Sequence, residues 1–323
     1  MSDTEFERMW TRRRFFSAVG AVTGLPLLGA AGSALAADQP RYPDIIGSVT
    51  HHVTREDDTL LELARWNGLG YTEMIAANRG IDPWVPGAGV ELIIPGAHIL
   101  PDGPREGLML NLADQRLYIF NARDRTVDSV PIGTGKSAWA TPTGRTTVVR
   151  KRANPTWYVP KSIREEDPEL PALVRPGPDN PLGQHAIDVG WPNYQLHGTN
   201  RPLGVGRRVS HGCVRLYPED IARLYIDIPI GLPVIVVNQE VKLAWVGGAL
   251  MMETHPSQEQ ADELEADGEF TPAKPAKYEY QVLDAAGAHA ARIDWPAVTR
   301  ALDGRTGMPI AIFKIATGSN SKI

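Results

Sequence analysis

The sequence predicts a mainly β catalytic domain preceded by a small α+β unit. Three observations carry that expectation. Glycine (31) and proline (27) make up 58 of the 323 residues, about 18% where ~12% is usual, which favours many turns between short strands over a helix bundle. Residues 105–239 alternate short apolar runs with turn-forming residues, a strand rhythm. Residues 45–95 instead hold two stretches of helical spacing closed by a strand-like run. At 42% hydrophobic and 22% charged the chain has a soluble globular composition. Its length is about two domains at ~150 residues each. Disordered, collagen-like and multi-pass membrane architectures are excluded. The net charge of −5, with no basic block beyond the N-terminus, argues against nucleic acid as a partner. One cysteine, Cys213, excludes an intramolecular disulfide framework and a multi-cysteine zinc site.

The first segment has the marks of an export signal. Thr11-Arg12-Arg13-Arg14-Phe15-Phe16-Ser17 is a twin-arginine pattern, and the 23 residues from Phe15 to Ala37 carry no charge. Ala34-Leu35-Ala36 offers small side chains to a signal peptidase. The run is long enough to span a bilayer, but four glycines and Pro26 make it a weak anchor. Residues 1–36 are therefore expected to be a twin-arginine-type signal peptide and the mature protein periplasmic. In that compartment a lone thiol asks for a reason.

Residues 45–95 read as strand, helix from Thr59, helix from Thr72 to Ala77, and a closing strand Val90-Glu91-Leu92-Ile93-Ile94 ended by Pro95-Gly96. With Asp58-Thr59-Leu60, Ala77-Asn78, Ile81-Asp82-Pro83 and Pro86-Gly87, this resembles a LysM module, which implies binding to peptidoglycan glycan. Asp57 departs from the glycine usual there. In 105–239, Leu108–Leu112 and Arg116–Phe120 flank Ala113-Asp114-Gln115 as a hairpin. Val127–Ile132, Thr146–Lys151, His185–Val189, Tyr194–His197 and Val234–Val237 continue the strands. The proline-rich stretch between Asn154 and Gly183 is long enough for a lid or binding loop, and Pro218 to Tyr225 is the one clear helix. Residues 240–277 read as an acidic, solvated segment and linker. Residues 278–323 read as an extension of unassigned role, with Asp294 capping a helix through Leu302 and Gly304 ending it, and its loss is expected to leave the chemistry intact.

Chemistry concentrates around Cys213. Ser210-His211-Gly212-Cys213-Val214-Arg215 lies just before the Pro218 helix, whose dipole favours a nearby thiolate. Gly212 permits a tight turn, so that consecutive main-chain N–H groups converge as an oxyanion hole requires. His197, ending a strand, would take the thiol proton; taken alone it is equally well a structural residue. Gly133-Thr134-Gly135-Lys136-Ser137 lacks the first glycine of a phosphate loop and any following helix pattern. His51-His52 has no third ligand at metal spacing. No metal or other cofactor is expected.

Together, His197-Gly198-Thr199 followed by Ser210-His211-Gly212-Cys213, with Thr141-Pro142-Thr143-Gly144 and Asn180-Pro181-Leu182-Gly183, resembles the signature of L,D-transpeptidases, the YkuD-domain family. The LysM-bearing layout looks like its ErfK/YbiS-like subgroup. The resemblance implies a β-sandwich or barrel-like domain over 105–239 in which Cys213 attacks the carbonyl of the third residue of a peptidoglycan tetrapeptide stem and releases D-alanine. His197 would be the base, oriented by the Gly198 carbonyl, and the N–H groups of His211, Gly212 and Cys213 would hold the oxyanion. The side chains of Ser210 and His211 either shape the turn or take part in the chemistry. Arg215, where many members have asparagine, either clamps a stem carboxylate or braces the fold. Tyr158, Trp191 and Arg208 are candidate pocket residues by nearness along the chain. The acceptor would be an amine of a second stem or a lysine of an outer-membrane protein. Hydrolysis by a carboxypeptidase or endopeptidase, and a non-catalytic wall-binding scaffold, are the alternatives.

Overall fold

A computed structural model describes residues 41–314. The expected signal peptide at 1–36 lies outside the described residues. Near the N-terminal end, β1 (Val49–Val53), α1 (Leu60–Trp66), α2 (Tyr71–Ala77) and β2 (Glu91–Pro95) follow in order, and β1 pairs antiparallel with β2 from Val49↔Pro95 to Val53↔Glu91. Thr59 caps α1 by accepting the Glu62 N–H at 3.1 Å. Leu60 and Leu63 of α1 and Met74 of α2 close on Leu92 and Ile94. The turn at Asp57 is made by its neighbour: Asp58 accepts the Arg55 N–H at 2.8 Å and bonds His52 Nε2 at 2.7 Å.

The central sheet is built from β3 (Gly107–Asn111), β4 (Arg116–Phe120), β5 (Val127–Pro131), β7 (Gly144–Ala153), β8 (His185–Val189), β9 (Gln195–His197), β11 (Val214–Arg215) and β12 (Pro233–Val237). Its spatial order is β11-β9-β8-β7-β12-β3-β4-β5. Only β9–β11 and β12–β3 run parallel. The two edges meet, because just beyond β5 Gly133 exchanges hydrogen bonds with Arg215 of β11, at 2.8 and 2.9 Å. Next to that closure β6 (Thr134–Gly135) pairs with β10 (Arg208–Ser210). The sheet therefore curls round a core of Leu108, Leu110, Ile187, Leu196, Val214 and Val234. Helix α4 (Pro218–Asp227) lays Ile221 and Leu224 on that core. Met109 points the other way, onto Tyr42, Tyr118 and Phe120, so β3 reads as unbroken apolar sequence because both its faces are covered.

The proline-rich stretch is folded on itself. Trp157–Tyr158 pairs with Leu173–Val174 around a short helix, α3 (Lys161–Glu166), a second helix in this domain that the sequence did not signal. Asn180, fully buried, donates to the carbonyls of Pro155 (2.8 Å), Val174 and Arg175 and accepts the Leu182 N–H at 2.9 Å. One amide thus ties both ends of the strap.

The C-terminal third departs most from the sequence expectation. The acidic segment is folded rather than solvated, with 271–277 left free of helix and strand: β13 (Val241–Val246) and β14 (Ala249–Thr254) form a hairpin turning on Gly247 and Gly248, both at positive φ. Helix α5 (Gln258–Asp267) follows, held by a reciprocal Ser257–Gln260 cap and ended by Gly268 in the left-handed region. Glu259 and Asp267 face water, Asp262 and Glu265 pair with Arg208 and Arg207, and Leu264 and the following Phe270 enter the core of the β1–β2 unit. Helices α6 (Tyr278–Ala286) and α7 (Trp295–Gly304) and strand β15 (Ile310–Lys314) complete the chain. Because β15 pairs with β14 and both share one core with α6 and α7, residue 278 is not a boundary between packed units. Asp294 does cap α7, accepting the Ala297 N–H at 3.0 Å. Arg305, rather than a glycine, takes the left-handed cap. Its buried guanidinium donates to Glu240 and the His255 carbonyl, which offsets the strain.

Candidate active site

Sheet register places His197 and Cys213 on one face of the sheet. In the parallel pair, Leu196 stands opposite Val214 and His197 opposite Arg215. Leu196 and Val214 face the core, so the alternating residues Gln195, His197, Cys213 and Arg215 share the opposite face. On the far side of β9, Ala186 and Asp188 of β8 stand opposite His197 and Gln195.

The His197 imidazole is buried, with Nδ1 2.6 Å from the Gly198 carbonyl. A carbonyl only accepts, so Nδ1 carries the proton and Nε2 keeps its lone pair. Burial, helped by the Arg215 charge, lowers its pKa to about 4. The Cys213 thiol is half-buried and donates to the Asn193 carbonyl at 3.4 Å. Burial pushes the thiol up, against opposing hydrogen bonds from Gln195 and the charge of Arg215. The strand β11 intervenes along the chain between Cys213 and α4, so Cys213 is not itself a helix N-terminal residue. At neutral pH the pair rests as thiol and neutral imidazole, which suits base-assisted attack rather than a preformed ion pair. The acid limb of kcat/KM is therefore expected near pH 4, since imidazolium cannot accept a proton. A limb between pH 6 and 7 would contradict this environment for His197.

The turn carrying Cys213 is closed by its own side chains. Gly212 N–H donates to Ser210 Oγ (3.1 Å), Ser210 Oγ donates to the Cys213 carbonyl, and Thr141 Oγ1 donates to the Gly212 carbonyl at 2.9 Å. Gly212 sits at φ +95°, and a Cβ there would lie 2.9 Å from the Tyr194 ring, so glycine is required on both counts. One of the two alternatives left open for Ser210 is favoured, and one expectation, for Gly212, changes. Ser210 is buried and builds the turn instead of meeting substrate, and the Gly212 N–H is committed to Ser210 rather than free for an oxyanion.

The pocket candidates separate in the same way. The Arg208 side chain is 2% exposed and grips α5 through Asp262 (2.6 Å) and the Gln258 carbonyl. It is a buried brace between β10 and α5, engaged through both Nη atoms, and not a pocket residue. Trp191 packs against the core and edge-on to Tyr194, whose ring covers Gly212. Tyr158 lies on the strap, 74% exposed. Arg215 Nε is buried with no hydrogen-bond partner among the described residues.

Glu166, at the end of α3, is a site neighbour that the sequence did not reveal. Its carboxylate meets His211 Nε2 at 2.9 Å, Trp139 Nε1 at 2.9 Å and Lys136 Nζ at 3.2 Å. The His211 bond, with those from Trp139 and Lys136, lowers its pKa to about 2. The latch between strap and Cys213 turn is therefore intact above the ordinary carboxylate range and is lost only as pH falls through about 2. A metal site is not suggested here. The one group of suitable ligands among the described residues, Asp114, Glu253 and His255, lies elsewhere. Lys242 Nζ, 2.7 Å from both carboxylates, already fills its cation position. The paired histidines are engaged separately, His51 with Glu91 and His52 with Asp58.

Comparison with known proteins agrees with this geometry. The profile of the YkuD L,D-transpeptidase catalytic domain matches residues 105–236. The probable L,D-transpeptidase YcfS of Escherichia coli K12 is 37% identical over 283 residues, covering 84% of this chain and 86% of that protein. The probable L,D-transpeptidase ErfK/SrfK of the same strain is 36% identical over 313 residues, covering 91% and 96%. The probable L,D-transpeptidase YbiS, also of that strain, is 37% identical over 250 residues, covering 76% and 80%. Likeness of that extent, running well beyond the catalytic domain, makes this chain a member of the L,D-transpeptidase family.

Proposed function

We propose that the protein is a periplasmic L,D-transpeptidase whose nucleophile is Cys213 and whose base is His197. The observation that carries the reading is the shared sheet face of the thiol and a buried, neutral imidazole whose Nδ1–H is held by the Gly198 carbonyl. Cys213 attacks the carbonyl of the third stem residue as Nε2 takes the thiol proton. The tetrahedral intermediate collapses, D-alanine leaves with that proton, and the tripeptide remains on sulfur as a thioester. The main-chain N–H groups of His211 and Cys213 are the donors assigned to the oxyanion. Arg215, with Nε lacking a partner on this face, is assigned to a stem carboxylate.

An amine then resolves the thioester. A second stem would give a 3→3 cross-link, and a lysine of an outer-membrane protein would give attachment to the wall. The β1–β2 unit, with its strand-helix-helix-strand order, is assigned to glycan binding as a LysM-like module. Residues 1–36 are assigned to twin-arginine export, and among the described residues no helix is long and apolar enough to cross a membrane.

Incubating the mature protein with a disaccharide-tetrapeptide and weighing the products tests the reading. Free D-alanine with cross-linked dimers is the expected outcome, abolished by Cys213→Ala. Tripeptides alone would make the enzyme a carboxypeptidase, and unchanged substrate would refute catalysis.

A further inference from the structure

Gln195 stands beside the thiol without a part in the reaction just outlined. It is the first residue of β9, opposite Asp188 on one side and level with Cys213 on the other. Its amide is fixed from outside. Arg152, on β7, donates through one Nη to Gln195 Oε1 and to Asp188 Oδ1 (2.8 Å), while Arg150 Nε donates to Asp188 Oδ2 at 2.6 Å. A guanidinium only donates, so the amide oxygen must face Arg152 and the amide NH2 must face the other way. On that side the register sets Cys213 level with Gln195, so the amide NH2 and the main-chain N–H are the groups Gln195 offers toward the sulfur, and both oppose the burial that pushes the thiol up. Both are N–H donors, and the thiol's own proton is directed to the Asn193 carbonyl.

We propose that Gln195 is a further catalytic residue of the acyl transfer, its main-chain N–H and Nε2–H holding the Cys213 sulfur as negative charge develops on it, with Arg152 and Asp188 as positioning residues that aim the amide. The inference rests on the reading of Cys213 as nucleophile. In the step concerned, the S–H proton passes to His197 Nε2, the S–C bond forms, and the carbonyl π pair moves to oxygen. The two N–H donors stabilise the sulfur before that bond is complete. They matter because the site otherwise opposes a thiolate. Burial and the Asp188 carboxylate disfavour the charge and Arg215 favours it, while neutral His197 adds no charge.

The single cysteine makes the test direct: the pH dependence of Cys213 alkylation by iodoacetamide, measured on the whole mature protein. Gln195→Met keeps the side chain's bulk and removes the donor, and is expected to move the inflection up by about one pH unit. Gln195→Glu keeps the shape but sets a carboxylate beside the sulfur, and is expected to move it further up. A packing role would be rescued by the glutamate and would alter melting without moving the inflection. An unmoved inflection in folded Gln195→Met overturns the proposal. If that variant fails to fold, Gln195→Glu decides, since an inflection at or below wild type overturns it equally. Alkylation needs no wall substrate, so failure of D-alanine release and failure of this inference are separate results.

Discussion

A chain ending at residue 277 will not fold into a stable domain. Cutting there removes β15, which is hydrogen-bonded along β14, and strips the shared core of Val282, Val298, Leu302 and Ile312, each at most 1% exposed. Fully burying one such side chain is worth about 1.5–3 kcal/mol, so four of them rival the whole of a marginal stability of roughly 5–15 kcal/mol. The damage also reaches the catalytic domain. β14 carries Glu253, whose carboxylate pairs with Lys242, and Lys242 pairs in turn with Asp114 of the catalytic domain. Arg305 would be lost too, leaving Glu240 without its cation. Insoluble expression, or melting lowered by more than about 10 °C, is the expected outcome. Wild-type melting with full activity would restore the picture of a separable extension.

Lys242→Met should be the costliest single substitution outside the site. The Lys242 ammonium lies 2.7 Å from Asp114 Oδ2, 2.7 Å from Glu253 Oε1 and 3.0 Å from Tyr118 Oη, with the charged side chains fully excluded from water. Burial by itself raises both carboxyl pKa values, but the ammonium outweighs it and holds both below the ordinary range. Methionine fills similar space and takes the shared cation from two buried carboxylates, which keep only hydrogen bonds from Tyr118, His255 and main-chain N–H groups, at an expected cost of about 3–5 kcal/mol. The pH dependence has a definite sign. Carboxylates held low contribute stability above their ordinary range, near pH 4, and that contribution disappears as pH falls through the lowered values. Without the lysine the carboxyls protonate inside the fold. The difference in melting temperature between variant and wild type should therefore be large at pH 7 and smaller at pH 4. A variant melting with wild type at pH 7 would contradict the role given to Lys242.

What was legible in the sequence is what is local. His197-Gly198 and Ser210–Cys213 are short runs whose chemistry shows in the residue types, and the hairpin at Ala113-Asp114-Gln115 announces itself by its flanking apolar runs. Arg208 was misjudged because nearness along the chain says nothing about direction: its side chain turns to a helix 50 residues later. The acidic segment hid its buried apolar pair, Ala261 and Leu264, among seven polar and charged residues of one ten-residue helix. The Gly247-Gly248 turn was a readable hairpin cue that composition obscured. Glu166, Asn180 and Gln195 act through partners 45, 25 and 43 residues away, a pairing that no spacing rule supplies.

The central claim is that Cys213 carries the acyl group. Intact-mass spectrometry after rapid acid quench of the mature protein with disaccharide-tetrapeptide tests it most directly. A protein mass raised by the disaccharide-tripeptide acyl group, mapped by digestion to Cys213, absent from Cys213→Ala and accumulating as D-alanine appears, is the predicted result. D-alanine release without any adduct, or an adduct that persists in Cys213→Ala, would contradict it.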